Sequence, residues 1–507
     1  MLTLPLIIAG NEISRNPVEA GARFYPDYRY QVCSAGPLEA AAAMGSARRA
    51  AQAGAKPGAA RRAKILRKAA ELFRWNQVVL EHTVRQTGMP ISQVQLLLET
   101  IPDWFRAIPE LYEKRFPGLP GAGETLEGAL ATGEGLVEHS FQPEGFCYAI
   151  TPGNDPRAAA LAAGNLAFLG LPFILRASQK DAVAPLVLKA LLEAGLEPLA
   201  GSLVYFDARL QPGLHFRLLD ACRVVWTFGP ETFVDQALRY EQLGRRAVVD
   251  VPEELSPADL AHQVAQGRYE LEENRRDAFA GKLVLRHSAG NCAAILRGPL
   301  DEAMKASLAA AAGFPTGCTA TRSAWLVESE DAFEELADYF AGLKVGDPLD
   351  CSTQVGLIDP QVLDHLEGLV KAGAAGLRLS GGERLSRHQA RPLLVSDRTA
   401  GRDRAATEGP LQPAQTLLEG EMPAYVLSVR CCSSLETAAE ALNRAAGKEL
   451  RLAVSLQRFK REEWLPYAAR LLAWTVLIDR PTTEVVPVYH EGNDYALLLR
   501  SRRLLVL

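Results

Sequence analysis

The chain has no apolar run long enough to cross a bilayer: its longest stretch, Leu161 to Leu175, is interrupted by Asn165 and falls short of the ~20 residues a spanning helix needs. It has no excess of positive charge either. Lys and Arg number 55 against 60 Asp and Glu, a net charge of −5 over 507 residues, so there is no general field to hold nucleic acid or an anionic membrane. Its eight cysteines, Cys33, Cys147, Cys222, Cys292, Cys318, Cys351, Cys431 and Cys432, lie far apart except for the adjacent pair. Neither a disulfide framework nor a zinc spacing can be read from them. Met1 to Gly10 is apolar with no basic residue ahead of its run, which argues against a signal peptide. The strings G-x-G-x-x-G, G-x-x-x-x-G-K-[ST], H-E-x-x-H, G-x-S-x-G and the EF-hand loop are all missing, and with them the usual short signatures of dinucleotide, phosphate, zinc, serine-hydrolase and calcium chemistry. These absences lead to the expectation of a cytoplasmic protein with neither nucleic acid nor membrane as partner and no metal site.

What is present is ordinary globular composition, 48% hydrophobic and 23% charged, in a chain too long for a single core. From Ser46 to Trp104 apolar residues recur three and four apart, the spacing of amphipathic helices. Between Pro117 and Gly145 the text turns to Gly, Pro and short apolar pieces, which suits an extended excursion. From Phe146 apolar strands alternate with helices, and the alternation restarts near Lys282 with Leu283-Val284-Leu285 expected as its first strand. Continuous apolar strands between helices are what a parallel sheet covered on both faces requires, so two doubly wound α/β units are expected. Glu253 to Arg276 reads as solvated helices between them, Asp397 to Gln412 as a mobile loop, and Tyr495 to Leu507 as a strand that pairs with another chain.

Two constellations carry chemistry. In Ile150-Thr151-Pro152-Gly153-Asn154-Asp155-Pro156 a strand ends and a helix begins, placing backbone amides and a carboxamide at the edge of a parallel sheet where ligands bind in open α/β folds. The plain alternative is a βα turn with Asn as helix cap. In Gly317-Cys318-Thr319-Ala320-Thr321-Arg322 a thiol stands in a small-residue turn after a helix, accessible to become a nucleophile; the plain alternative is a small buried hydrophobe.

Taken together, Ile150-Thr151-Pro152-x-Asn154-x-Pro156, Ile174-Leu175-Arg176, Glu193-Ala194-Gly195-Leu196-Glu197-Pro198, Cys318-Thr319-Ala320-Thr321 and Glu421 ahead of Val426-Leu427-Ser428-Val429 resemble, in order and spacing, the aldehyde dehydrogenase superfamily. The resemblance implies two Rossmann-like domains plus a small β oligomerisation arm: residues 1–116 and 146–270 as cofactor domain, 117–145 and 480–507 as arm, 271–479 as catalytic domain, in a homodimer or homotetramer. It implies Cys318 as the nucleophile that attacks an aldehyde carbonyl and Asn154 as an oxyanion donor, a role whose loss costs ~2.7–4 kcal/mol in comparable sites. It implies NAD or NADP as cofactor, held by Ile150, Thr151, Arg176, Gln179, Thr227, Gly229 and Glu421.

The resemblance is uneven. The pyrophosphate loop Phe-Thr-Gly-Ser of the family corresponds to Trp226-Thr227-Phe228-Gly229-Pro230, a Phe in place of a Gly that lets backbone approach phosphate. Glu-Leu-Gly-Gly-Lys, whose Glu is the general base, corresponds to His287-Ser288-Ala289-Gly290-Asn291, which makes His287 a candidate base. Glu-x-Phe-Gly-Pro is reduced to Glu421-Met422-Pro423-Ala424-Tyr425. Because Ser288-Ala289-Gly290-Asn291 is similar to a string of the coenzyme A-acylating branch, an acylating dehydrogenase (acyl-CoA reductase) with coenzyme A as co-substrate is the rival expectation. A member that has lost catalysis and serves as a structural or regulatory subunit is the other. No carboxylate stands in Arg176-Ala177-Ser178-Gln179-Lys180 to repel a 2′-phosphate, so NADP is admissible. The remaining histidines show no metal spacing, and the tryptophans read as core.

Overall fold

The computed structural model describes residues 1–53, 57–115, 136–141, 145–208, 210–228, 282–287, 290–314, 317–329, 331–373, 375–397, 413–420, 422–446, 451–490, 493–495 and 501–506. Strands β1 (Thr3–Leu4), β2 (Leu6–Ile8), β3 (Asn11–Ile13), β4 (Pro17–Gly21) and β5 (Arg29–Cys33) precede helices α1 (Pro37–Gln52), α2 (Ala59–Leu72), α3 (Gln77–Thr87) and α4 (Ile91–Arg115). Then come β6 (Leu136–Phe141), β7 (Cys147–Thr151), α5 (Ala158–Leu169), β8 (Phe173–Ala177), α6 (Ala184–Glu193), β9 (Gly201–Val204), α7 (Pro212–Ala221), β10 (Val224–Phe228) and β11 (Leu283–His287). The first large sheet has the order β11-β10-β7-β8-β9-β2-β3, parallel from β11 to β9, with β2 and β3 added antiparallel.

A second sheet is built from β12 (Cys292–Arg297), β13 (Thr321–Val327), β14 (Leu377–Gly381), β15 (Leu393–Asp397), β16 (Val426–Cys432), β17 (Arg451–Gln457) and β18 (Ala473–Ile478). Its order is β14-β15-β16-β13-β12-β17-β18, parallel except for β14. The chain closes with β19 (Tyr489–His490) paired to β20 (Asn493–Asp494), and β21 (Ser501–Val506) paired antiparallel to β6.

The physical basis is the one the alternation suggests. Strands β7 and β13 are buried along their whole length, which only a sheet covered on both faces allows. Helix α5 is buried on every side and stops at Gly170, whose φ of +70° ends the helix in the left-handed conformation. Two doubly wound α/β units are therefore present, and among the described residues no helix is long and apolar enough to cross a membrane.

Three expectations change. Leu283-Val284-Leu285 does not open the second unit: β11 pairs in parallel with β10, Val224 to Leu283 through Phe228 to His287, and completes the first sheet. The terminal strand finds its partner inside the chain, in β6. The segment after Asp479, assigned to the arm, packs Val485, Val486, Val488 and Tyr495 onto the first core. Residues 253–276 and 398–412 lie outside the described residues.

The units are hooked together where α3 meets the stretch 345–359. Leu357 N donates to the carbonyl of Gly88 (2.8 Å), Ile91 N to that of Pro348 (2.8 Å), and Arg23 pairs with Asp359. Gly356 lies so close that a Cβ on it would stand 2.0 Å from the Gly88 oxygen. Gly356→Ala is expected to cost roughly 1–3 kcal/mol by overpacking this junction, read as a lower urea midpoint; an unchanged midpoint would show that the junction yields freely.

Candidate active site

The Cys318 turn lies between helix Glu302–Ala312 and β13, and both cores hold it. Phe314 and Ala320 are buried in the first core, whereas Cys318 itself packs against Cys292, Leu452, Ala453 and Leu477 of the second. Gly317 N donates to Phe314 O (3.0 Å) and Ala320 N to Gly317 O (3.2 Å), closing the turn. A Cβ at residue 317 would fall 1.8 Å from the Phe314 ring, so only glycine fits. Cys292, fully buried, donates its S–H to the carbonyl of Cys318 at 3.5 Å. Cys318 is half-buried while Cys33, Cys147, Cys222 and Cys292 are buried. Burial pushes the Cys147 thiol well above its ordinary value, which keeps it inert.

The Asn154 loop reaches this turn from the end of β7. Arg157 grips Asp155 through Nε (3.0 Å) and Nη2 (2.8 Å), and its guanidinium lies over Trp104 (5.1 Å) and over the ring of Phe314 (5.8 Å). Arg157 follows Asn154 by three positions and Phe314 precedes Cys318 by four. That contact brings the carboxamide loop and the thiol turn to one crevice, between the C-terminal edge of the first sheet and the N-terminal edge of the second.

Behind the loop, Gly153, Asp155 and Pro156 face Thr83, Gln86, Thr87, Lys180 and Asp181 around a cavity with room for about one water. Asp181 is 5% exposed. Its Oδ1 accepts from Val183 N (2.8 Å) and Ala184 N (3.1 Å), capping α6. Burial pushes this carboxyl up to about 7, against the two N–H bonds and with the charge of Asp155 adding to the rise. The sequence marks Asp181 only as the start of a helix.

The first sheet's edge also carries the residues assigned to a dinucleotide. Ile150, Thr151 and Thr227 are buried, and Thr151 Oγ1 and Thr227 Oγ1 have no partner among the described residues, hydroxyls that a ligand's polar groups would satisfy. Arg176 lies over the Phe206 ring (5.1 Å) and donates to the Phe206 carbonyl from Nε (3.4 Å) and Nη2 (3.3 Å). Gln179, half-buried, accepts the Tyr30 hydroxyl on its carbonyl at 3.1 Å. The ends of β7 and β8 thus fit the sugar hydroxyls of a nucleotide. The end of β10 does not fit a pyrophosphate in contact with its backbone, because Phe228 stacks on His287 (centroids 4.7 Å apart) and Tyr495 covers Trp226 (4.4 Å). Gly229 and Glu421 lie outside the described residues.

His287, a candidate base in the sequence, is only 4% exposed. Its Nε2 faces the Tyr495 hydroxyl at 3.2 Å. The physical reason is the register of β11, which sets His287 opposite Phe228 on a face that Tyr495 closes. It does not stand at the mouth of the crevice.

Sequence reading did not single out two further groups. Arg451, buried at the start of β17, donates to Asn291 O (3.1 Å) and Oδ1 (2.9 Å), and Asn291 Nδ2 donates to Glu419 O (2.7 Å). Burial pulls the Arg451 guanidinium down to about 10, so it stays charged at neutral pH. This fastens the start of β12, and with it Cys292, beneath the Cys318 turn. Thr482 donates to Thr319 O at 2.7 Å. The first Thr of Pro481-Thr482-Thr483 carries no sequence signal for such a role.

Residues 24–209 match the pattern of the aldehyde dehydrogenase family. No curated protein matches the sequence. Among solved structures, the fold is similar to aldehyde dehydrogenase 21 from Physcomitrella patens in complex with the reaction product succinate, with a TM-score of 0.72 and 15% identity over 100% of this chain and 98% of that one. It is similar to an NAD-dependent aldehyde dehydrogenase from Sinorhizobium meliloti, with a TM-score of 0.73 and 17% identity over 100% and 94%. The Δ-pyrroline-5-carboxylate dehydrogenase from Mycobacterium tuberculosis gives a TM-score of 0.68 and 19% identity over 99% and 90%. At these identities the likeness is one of fold.

The raised Asp181 carboxyl has a measurable sign. Between its unfolded value near 3.8 and its folded value of about 7, the native state holds a proton that the unfolded chain has released, so stability falls as pH rises through that window. Asp181→Asn keeps an oxygen for the α6 cap and removes the titration. Its free energy of unfolding relative to the parent is expected to rise between pH 5 and pH 8, by on the order of a few kcal/mol in all; parallel stability curves for the two proteins would contradict the assignment.

Proposed function

We propose that the chain is a member of the aldehyde dehydrogenase superfamily, a reading supported by the family match over residues 24–209 and by the shared fold, and that it oxidises a small aldehyde through a covalent adduct on Cys318, with NAD or NADP as hydride acceptor. One observation carries the reading: the half-buried thiol of Cys318 sits in a turn locked to both cores and apposed to the Asn154 loop through Arg157 and Phe314.

The Cys318 sulfur adds to the aldehyde carbon, forming a C–S bond while the carbonyl oxygen takes up the electron pair. The Asn154 carboxamide and the Cys318 backbone N–H are the donors assigned to that oxyanion, preset because both loops are fixed before substrate arrives. A nicotinamide dinucleotide, held away from the ring-filled end of β10, would supply the hydride acceptor. Thr151, Arg176 and Gln179 are the residues of this chain that would hold its sugar hydroxyls, with Ile150 and Thr227 flanking them. With that acceptor bound, loss of the hydride would leave the aldehyde carbon as a thioester on Cys318, and attack on the thioester carbon would release the acyl group and return the thiolate.

The attacking group divides two readings. The seclusion of His287 behind Tyr495 removes the base that would activate water at that strand end, which favours an external thiol such as coenzyme A as the second reading. Turnover of an aldehyde panel with NAD or NADP, with and without coenzyme A, distinguishes them by product. In either case Cys318→Ser is expected to abolish turnover, and Asn154→Ala to lower kcat by about 10²–10³-fold. Cys318→Ser with parental kcat would remove the covalent route.

A further inference from the structure

We propose that Thr482 is a positioning residue for Cys318, the central knot of a strap running from Asp479 to His490 that sets the thiol turn against the helix behind Asn154. The proposal rests on the reading of Cys318 as nucleophile.

The strap leaves the second sheet at β18. Asp479 fixes its start, donating N–H to Leu456 O (2.9 Å) and accepting from Arg458 N on its carboxylate (2.8 Å). Three residues on, Thr482 is 1% exposed, and its Oγ1 makes two contacts of 2.7 Å, to Thr319 O and to Thr321 Oγ1. A hydroxyl has one proton. Since Thr482 gives it to Thr319 O, the Thr321 hydroxyl is the donor to Thr482, and the order of donation along the three threonines is fixed. The two partners flank Ala320, and Thr319 adjoins Cys318 in the chain.

Five residues further, Pro487 O accepts from Asn165 Nδ2 at 2.7 Å. Asn165 is fully buried in α5 and also takes a hydrogen bond from the Tyr112 hydroxyl at 2.7 Å. Helix α5 is the one that the Asn154 loop opens into. Val488, 3% exposed, then seats the strap in the first core. One short segment therefore holds the nucleophile turn at Thr482 and the oxyanion-donor helix at Pro487. The distance between sulfur and carboxamide is set through it, and displacements of about 1 Å at such a pair cost up to ~10²-fold in rate.

The test compares Thr482→Val, which keeps shape and loses the hydroxyl, with Thr482→Ser, which keeps the hydroxyl. Two readouts are used: kcat and KM for an oxidised aldehyde, and the rate of Cys318 alkylation by iodoacetamide, located by peptide mass. Thr482→Val is expected to lower kcat and slow alkylation about tenfold or more, with KM changed less than about twofold, and Thr482→Ser to restore both to near the parental values. Parental kcat and alkylation in Thr482→Val, or a Ser variant as slow as the Val variant, would overturn the proposal. Should Thr482→Val not accumulate as folded protein, Thr482→Ala removes the same hydroxyl, and with it the bond to Thr319 O, without a second methyl group in its place, and parental rates there would overturn the proposal equally. Alkylation needs neither dinucleotide nor aldehyde. If the parent oxidises no aldehyde, the functional reading fails while the alkylation series still decides the role of Thr482.

Discussion

A turn that must satisfy two cores at once governs this molecule. Phe314 and Ala320 belong to the packing of the first unit, and Cys318 rests on Cys292 and Leu452 of the second, so neither unit can shift without dragging the thiol. Close packing transmits such a constraint because protein interiors do not deform continuously. Gly317 is its sharpest expression: the Phe314 ring takes the volume a side chain would need. The same ring receives the Arg157 guanidinium from the opposite loop. The crevice is thus defined by residues that are themselves buried, the kind of support that would keep the proposed donor pair in place without reorganisation.

Around that fixed centre the two halves of the site are furnished differently. The thiol side is underpinned by hydrogen bonds: Arg451 and Asn291 secure β12, and the Cys292 thiol bonds the Cys318 carbonyl. The edge of the first sheet is furnished by rings. Trp226, Phe228, His287 and Tyr495 stack and tilt against one another where β10 and β11 end. Packed against one another, these rings fill the space at the end of β10 where a phosphate would need to approach the backbone, whereas the polar side chains at the edge of the sheet stand one and two strands away, at Thr151 and Arg176. That division explains why the resemblance to the aldehyde dehydrogenase pattern is firm at Cys318 and Asn154 and frayed at the pyrophosphate loop.

Much of this was legible in the residues and some was not, for physical reasons. Uninterrupted apolar strands such as Cys147-Tyr148-Ala149-Ile150 announce a parallel sheet because nothing polar can face outward from it. Asn154 and Cys318 were found because each sits in a turn whose composition is unusual for its neighbours. The partner of Leu283-Val284-Leu285 was not legible, since a parallel strand's place is chosen by long-range packing and not by its neighbours along the chain. Thus His287 looked available when judged by residue type, whereas the register that turns it under Tyr495 belongs to tertiary structure. The short strands β1 to β5, two to five residues each, carry too few positions to show a period. Thr482 is a hydroxyl among many until the turn it holds is in view.

The cost of the arrangement falls where the function is proposed to lie. Asp181 is kept among apolar and polar groups that raise its carboxyl to about 7, which is unfavourable at neutral pH compared with an exposed acid. The core does not need it, since α6 could be capped by a neutral serine or asparagine. What a carboxyl has in addition is a second oxygen, buried without a hydrogen-bond partner among the described residues and within the field of the Asp155 charge, in a residue that lines the cavity behind Gly153 and Asp155. A local rule is broken beside the Asn154 loop and offset by the fully buried α5 and β7 on either side of that loop, the pattern expected where geometry at a site is favoured over local stability.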